Sequence, residues 1–207
     1  MTETADAPTP EEAARHRAKM EKRKALQDAE IASKTVEKGL LLVHTGTGKG
    51  KSTAAFGLAL RVLGHGGRVG VVQFIKSRPT GEKTALAVFG DRVVWHTAGE
   101  GFTWETQDKA RDMAACRAAW EIATALMADP AFGLVILDEL NIALRYDYLP
   151  VEEVVATLAA RRGDLHVAVT GRNAKPALVE AADLVTDMTM VKHHFKAGVK
   201  TQAGIEF

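Results

Sequence analysis

Lys51 and Ser52 close a run, Thr45-Gly46-Thr47-Gly48-Lys49-Gly50, whose residue types suit it to holding phosphate. The glycines let the main chain approach an anion closely, and N–H groups that open a helix converge on its oxygens. Lys51 adds a cation for a triphosphate, and the Ser52 hydroxyl is a ligand for Mg²⁺ or Mn²⁺. An apolar run at 40–43 precedes the turn, and a helical pattern at 54–63 follows it at once. Strand, turn and helix in that order form the setting in which such a loop binds a nucleoside triphosphate. The competing reading, a ligand-free glycine turn, leaves the Gly-Lys-Ser order unexplained. The binding set is Gly46, Thr47, Gly48, Lys49, Gly50, Lys51, Ser52 and Thr53. The pattern departs from the common one, because Thr45 stands where the first glycine usually falls. Lys49 also puts a second lysine inside the loop. Both departures point to a differently seated triphosphate.

A second group of residues sits at other strand ends. Four apolar residues, 134–137, run into Asp138 and Glu139. Acids at the carboxyl end of a central strand face a phosphate crevice and hold Mg²⁺ directly or through water. A helix start that merely favours acids is the alternative. The loop 97–106 carries Phe102 and Trp104 just after two glycines, Gly99 and Gly101. These aromatics suit a flat hydrophobic ligand or a partner surface, or they fold back onto the core. Lys76 and Arg78 bring cations to the same sheet edge, for a triphosphate, for an acidic substrate, or as solvated charge. The basic segment 191–200 contains His193-His194, but neighbours on an extended chain face opposite ways, so both read as surface charge. The other histidines are scattered, and no nucleophile and base pair for hydrolysis stands out.

The elements that position these groups alternate from residue 39 onward. Strands are expected at 39–44, 68–74, 93–96, 134–137, 166–170 and 184–190, and helices at 52–63, 84–89, 107–127, 151–161 and 176–182. Continuous apolar strands imply a sheet covered on both faces. The fold class is α/β: a doubly wound, mostly parallel sheet of about six strands with a P-loop NTPase-like core of recombinase type. Its domain is expected to span 39–207, with residues 1–38 read as a disordered acidic tail and a charged N-terminal helix. The basic run 15–24 reads as a solvated helix face, with a nucleic-acid arm or a lid over an anionic ligand as alternatives. With 207 residues and a net charge of +1, no global field draws the chain to nucleic acid or membrane. Cys116, the only cysteine, reads as a small buried hydrophobe. No signal peptide or bilayer-spanning run is present, which suggests the cytoplasm.

The run from Thr45 to Gly57 closely resembles the phosphate loop of the P-loop ATP:corrinoid adenosyltransferases. The likeness continues through 71–76, 99–106, 137–140, 146–150, 170–172 and 191–205. It implies transfer of the 5′-deoxyadenosyl group of ATP to the Co(I) of a corrinoid, with tripolyphosphate released. Cobalt is then the nucleophile, so no side-chain base is required. By the same resemblance Lys51, Phe102 and Trp104 are the catalytic residues, and Ser52 and Glu139 hold Mg²⁺. The two aromatics match those that press on the lower face of the corrin. The triphosphate would lie in the opposite sense to that of hydrolytic P-loop enzymes, which fits Thr45 and Lys49. A homodimer, a flavoprotein electron donor and a closing N-terminal helix are further implications of the family. A nucleic-acid-stimulated P-loop ATPase and a non-enzymatic corrinoid carrier are the competing functions.

Overall fold

Six short apolar runs become the strands of one sheet: β1 (Leu41–Thr45), β2 (Val69–Gln73), β3 (Val93–Thr97), β4 (Leu134–Asp138), β5 (His166–Thr170) and β6 (Leu184–Asp187). The computed structural model describes residues 8–75, 80–98 and 108–206. Every strand pairing is parallel, in the order β3-β2-β4-β5-β1-β6. β2 and β4 are buried at each position, as expected of interior parallel strands covered by helices. The edge strand β6 is exposed along its length.

The helices are α1 (Pro10–Ala32), α2 (Lys51–Gly64), α3 (Gly81–Leu86), α4 (Lys109–Ala128), α5 (Leu140–Arg145), α6 (Val151–Ala159) and α7 (Pro176–Ala181). Side chains alternate across a strand, so β4 feeds two cores. Leu134 and Ile136 pack with Ala55, Phe56, Ala59 and Leu63 of α2. Val135 and Leu137 join Trp120 and Ala123 of α4, Leu144 of α5, Leu158 of α6 and Leu178 of α7. Each fully buried Leu or Ile contributes about 2 kcal/mol of transfer free energy. Cys116 belongs to this second core at 1% exposure. Burial, with Asp112 nearby, pushes its thiol up to about 12, so it stays protonated and inert at neutral pH.

The chain divides into two units between Glu37 and Lys38. The first holds α1, which opens with a capping box. Thr9 Oγ1 accepts from Glu12 N, the Glu12 carboxylate accepts from Thr9 N, and Pro10 takes the first turn.

Most boundaries shift by one or two residues from expectation, and three elements differ by more. The helix expected at 84–89 is instead α3 followed by a 3₁₀ stretch, Ala87–Arg92, broken at Gly90, where φ is 59°. β6 stops at Asp187 rather than 190, because its partner β1 turns away after Thr45 into the glycine loop. The six-residue α5 was not expected. It follows Glu139, whose φ of 61° swings the chain out of the strand. Among the described residues no helix is long and apolar enough to cross a membrane.

At the amino ends of the strands, Arg161 ties several segments together. Its guanidinium donates to the carbonyls of Leu158, Leu165 and Gly39 and to Asp183. Asp183 also accepts from Leu41 N at 2.8 Å and from Lys38. Those donors, Leu41 N–H foremost, hold the Asp183 carboxyl below its usual range.

Candidate functional site

β1 delivers the chain into the loop 46–50, and Lys51 begins α2 with Gly50 as its cap at φ 104°. The loop lies directly against the backbone that follows β6. A Cβ on Gly46 would come within 2.2 Å of Asp187 Oδ1, and one on Gly48 within 2.5 Å of Met188 O. No other residue type fits at those two positions. Gly48 N donates to Met188 O at 2.6 Å, and Met188 N donates to Thr45 O at 2.9 Å. Lys51 is buried, with its ammonium donating to the Gly48 carbonyl. Ser52 is half-buried, while Thr47, Lys49, Gly50 and Thr53 are exposed. The sequence-derived loop set therefore forms one contiguous cradle at a helix start.

Beside the loop, strand register builds a polar row across the sheet. Thr97, Gln73 and Asp138 stand side by side on β3, β2 and β4, and Thr170, His44 and Thr186 continue on β5, β1 and β6. Asp138 is fully buried and holds the middle. Ser52 Oγ and Thr170 Oγ1 each donate to its Oδ1 at 2.7 Å, and Gln73 Nε2 donates to Oδ2 at 2.9 Å. Gln73 Oε1 in turn accepts from Trp95 Nε1 at 3.1 Å, and the Trp95 ring stacks on Phe56 of α2 at 5.2 Å. A buried carboxylate persists only with such partners. By giving its proton to Asp138, Ser52 is held with its lone pairs as the acceptor side. The row thus fixes Ser52 at the mouth of the loop.

Glu139, the expected metal ligand, is half-buried just beyond Asp138, and its N donates to Thr170 Oγ1 at 3.0 Å. Its carboxylate lies over Gly171, where φ is 127° and a Cβ would sit 3.1 Å from Glu139 Oε2 and 2.8 Å from Asn141 Cβ. Asn141 donates to Gly171 O at 2.8 Å. Ser52, Asp138 and Glu139 are all hard oxygen donors, a set that fits Mg²⁺. At the far side of the row His44 is buried with neither ring nitrogen bonded among the described residues. Burial pushes its pKa down, so it stays neutral.

Phe102 and Trp104 lie outside the described residues, as do Lys76, Ser77 and Arg78. The expectation that His193 and His194 face apart is corrected: their rings stack with centroids 4.9 Å apart. His193 is extended, but the chain turns at once into a 3₁₀ stretch, His194–Ala197. Sequence reasoning also missed the roles of Gln73 and Thr170, although Gln73 is the sole polar residue in the buried run of β2. Nor did it find that Glu206 pairs with Lys49 of the loop. Nothing local signals a partner 157 residues away.

Comparison with known proteins bears on the whole chain. A family model described as ATP:corrinoid adenosyltransferase BtuR/CobO/CobP matches residues 37–207, and one described as cob(I)alamin adenosyltransferase N terminal matches residues 1–31. A corrinoid adenosyltransferase of Pseudomonas aeruginosa is 56% identical over 200 residues, covering 96% of this chain and 98% of that protein. One from a Sinorhizobium species is 52% identical, covering 98% and 96%. The corrinoid adenosyltransferase CobA of Salmonella typhimurium is 46% identical, covering 93% and 98%.

Proposed function

The chain belongs to the ATP:corrinoid adenosyltransferases, and from that premise we propose how its residues share out the reaction. The protein transfers the adenosyl group of ATP to cob(I)alamin in the biosynthesis or salvage of vitamin B12. The Co(I) of the corrinoid substrate supplies the electron pair to the ribose 5′ carbon. The C5′–O bond breaks, and tripolyphosphate leaves with its electrons. Nothing in that step calls for a side-chain nucleophile or base. The protein's task is to align the two substrates and stabilise the charge gathering on the departing triphosphate.

Gly46 to Thr53 cradle the triphosphate, with Lys51 and Lys49 supplying positive charge. Ser52 and Glu139 hold Mg²⁺, while Asp138 orients Ser52. When bound, the ion supplies Lewis-acid charge to the phosphate oxygens. Phe102 and Trp104 press on the lower face of the corrin, which favours loss of the lower axial ligand from Co(II) and so eases reduction. A homodimer working in the cytoplasm with a flavoprotein reductant completes the reading. The observation that carries it is the Gly48–Lys51–Ser52–Asp138 arrangement at the start of α2, inside a family match of residues 37–207.

The test is anaerobic: protein, ATP, Mg²⁺ and chemically reduced cob(I)alamin. The expected result is the light-sensitive spectrum of adenosylcobalamin with one tripolyphosphate per product. ADP and phosphate in place of tripolyphosphate would hand the loop to hydrolytic chemistry.

A further inference from the structure

Lys49 has no counterpart in the common phosphate-loop pattern, and the fold supplies it with a distant partner. Its ammonium donates to Glu206 Oε2. The other oxygen, Oε1, pairs with His194 Nε2 at 2.9 Å. His193 stacks on His194, and its Nδ1 accepts from Phe195 N at 3.2 Å. Glu206 N donates to Gln202 O at 3.0 Å. The Glu206 side chain is only 10% exposed, while that of Lys49 is 58% exposed. The carboxylate is thus fixed from both sides, and the Lys49 end of the pair opens to solvent. The Lys49 hydrogen bond, followed by the charges of Lys49, His194 and His193, holds the Glu206 carboxyl below its usual range.

His193, His194 and Glu206 also place ligand atoms within 4.8 Å of one another. A Zn²⁺-like ion takes such a set. Here both carboxylate oxygens are already engaged, and an added cation would sit against the Lys49 ammonium. The cluster has the character of a charge clamp.

We propose that Glu206 is a positioning residue for ATP: clamped by His194, it orients Lys49 toward the triphosphate. The proposal rests on the reading of residues 46–53 as the triphosphate cradle. A lysine has three ammonium donors on a flexible stem, and ordering that stem when the ligand arrives costs affinity. Glu206 takes one donor and orders the stem in advance. With Lys49 and His194 on its two oxygens, the carboxylate no longer stands as an isolated anion beside the phosphates.

The test uses the full chain and three variants: Glu206→Gln, Lys49→Met and the pair together. ATP affinity, the KM for cob(I)alamin, kcat and thermal midpoint are measured for each. Each single change weakens ATP binding about tenfold, and the double variant loses no more than either alone, the signature of coupled residues. In Glu206→Gln the corrinoid KM and kcat move less than about twofold, and in each variant the midpoint stays within about 2 °C. Unchanged ATP affinity in Glu206→Gln, with weak binding in Lys49→Met, overturns the proposal and leaves the cradle intact. Normal affinity in both variants overturns the cradle itself. Tighter binding in Glu206→Gln would make the pair a gate, and additive losses or a fallen midpoint would make it structural. A stoichiometric Zn²⁺ retained by the wild-type protein would replace the clamp with a metal centre.

Discussion

The two ends of the strands use polar residues in opposite ways. At the amino ends Arg161 and Asp183 spend their hydrogen bonds mainly on backbone groups: the carbonyls of Leu158, Leu165 and Gly39 and the Leu41 N–H. At the carboxyl ends side chains bond one another: Ser52, Thr170 and Gln73 all converge on Asp138. Groups bonded to the main chain fasten segments. Groups bonded to each other hold side chains in orientation, with buried atoms such as Asn141 Oδ1 and the His44 nitrogens left over among the described residues. Glu139, just after β4, and Asn173, just after β5, also take positive φ without being glycine. One end fastens the fold, and the other is the end that our proposal assigns to the nucleotide.

The largest effect expected from this contrast is at Lys51. Lys51→Ala should cut transfer more than about 100-fold, the scale of losing a main charge contact to the departing group. Its thermal midpoint should move by less than about 4 °C. Normal turnover in that variant would break the contrast outright. The converse test is Arg161→Ala, which should lower unfolding free energy by about 3 kcal/mol through several lost charged hydrogen bonds. Denaturant unfolding measures that loss, and kcat should stay within about twofold of wild type. A stable but inactive Arg161 variant would show that the amino end serves catalysis after all.

Gly171→Ala sharpens the boundary between the two behaviours. The added methyl meets Asn141 Cβ and Glu139 Oε2 in a backbone geometry that suits glycine. It should cost about 2 kcal/mol and raise the Mg²⁺ concentration needed for half-maximal transfer. Lost stability with unchanged Mg²⁺ dependence would remove Glu139 from the metal. The smallest effect is at Asp183, whose pKa is depressed in the folded state. A depressed carboxylate contributes stability above its unfolded pKa, ordinarily near 3.8, and loses it as pH falls through the folded value. Asp183→Asn should therefore flatten the acid limb of the stability–pH curve and leave transfer near neutrality unchanged. An identical acid limb would show the pairing to be without net weight.

What the amino-acid sequence revealed follows from the range of the forces involved. The strands were legible because interior parallel strands are continuous apolar runs, and the phosphate loop because three glycines, Lys51 and Ser52 lie within seven residues. α5 escaped because six residues after two carboxylates carry too few helical turns to show a period. The polar row was only partly visible, since its members come from six strands and meet through register alone. Glu206 and the histidine stack depend on a turn and on contacts across most of the chain, for which no local pattern exists.

The strand order has a consequence for how the protein is made. β1 enters the sheet between β5 and β6, the two strands furthest from it in sequence, and the loop that follows β1 rests on Met188. A growing chain thus releases residues 41–53 early but has neither strand neighbour of β1 to pair with it until residues 166–187 have emerged. Such long-range closure slows folding. Nucleotide affinity should therefore arise late and abruptly, as one of the last properties the chain acquires.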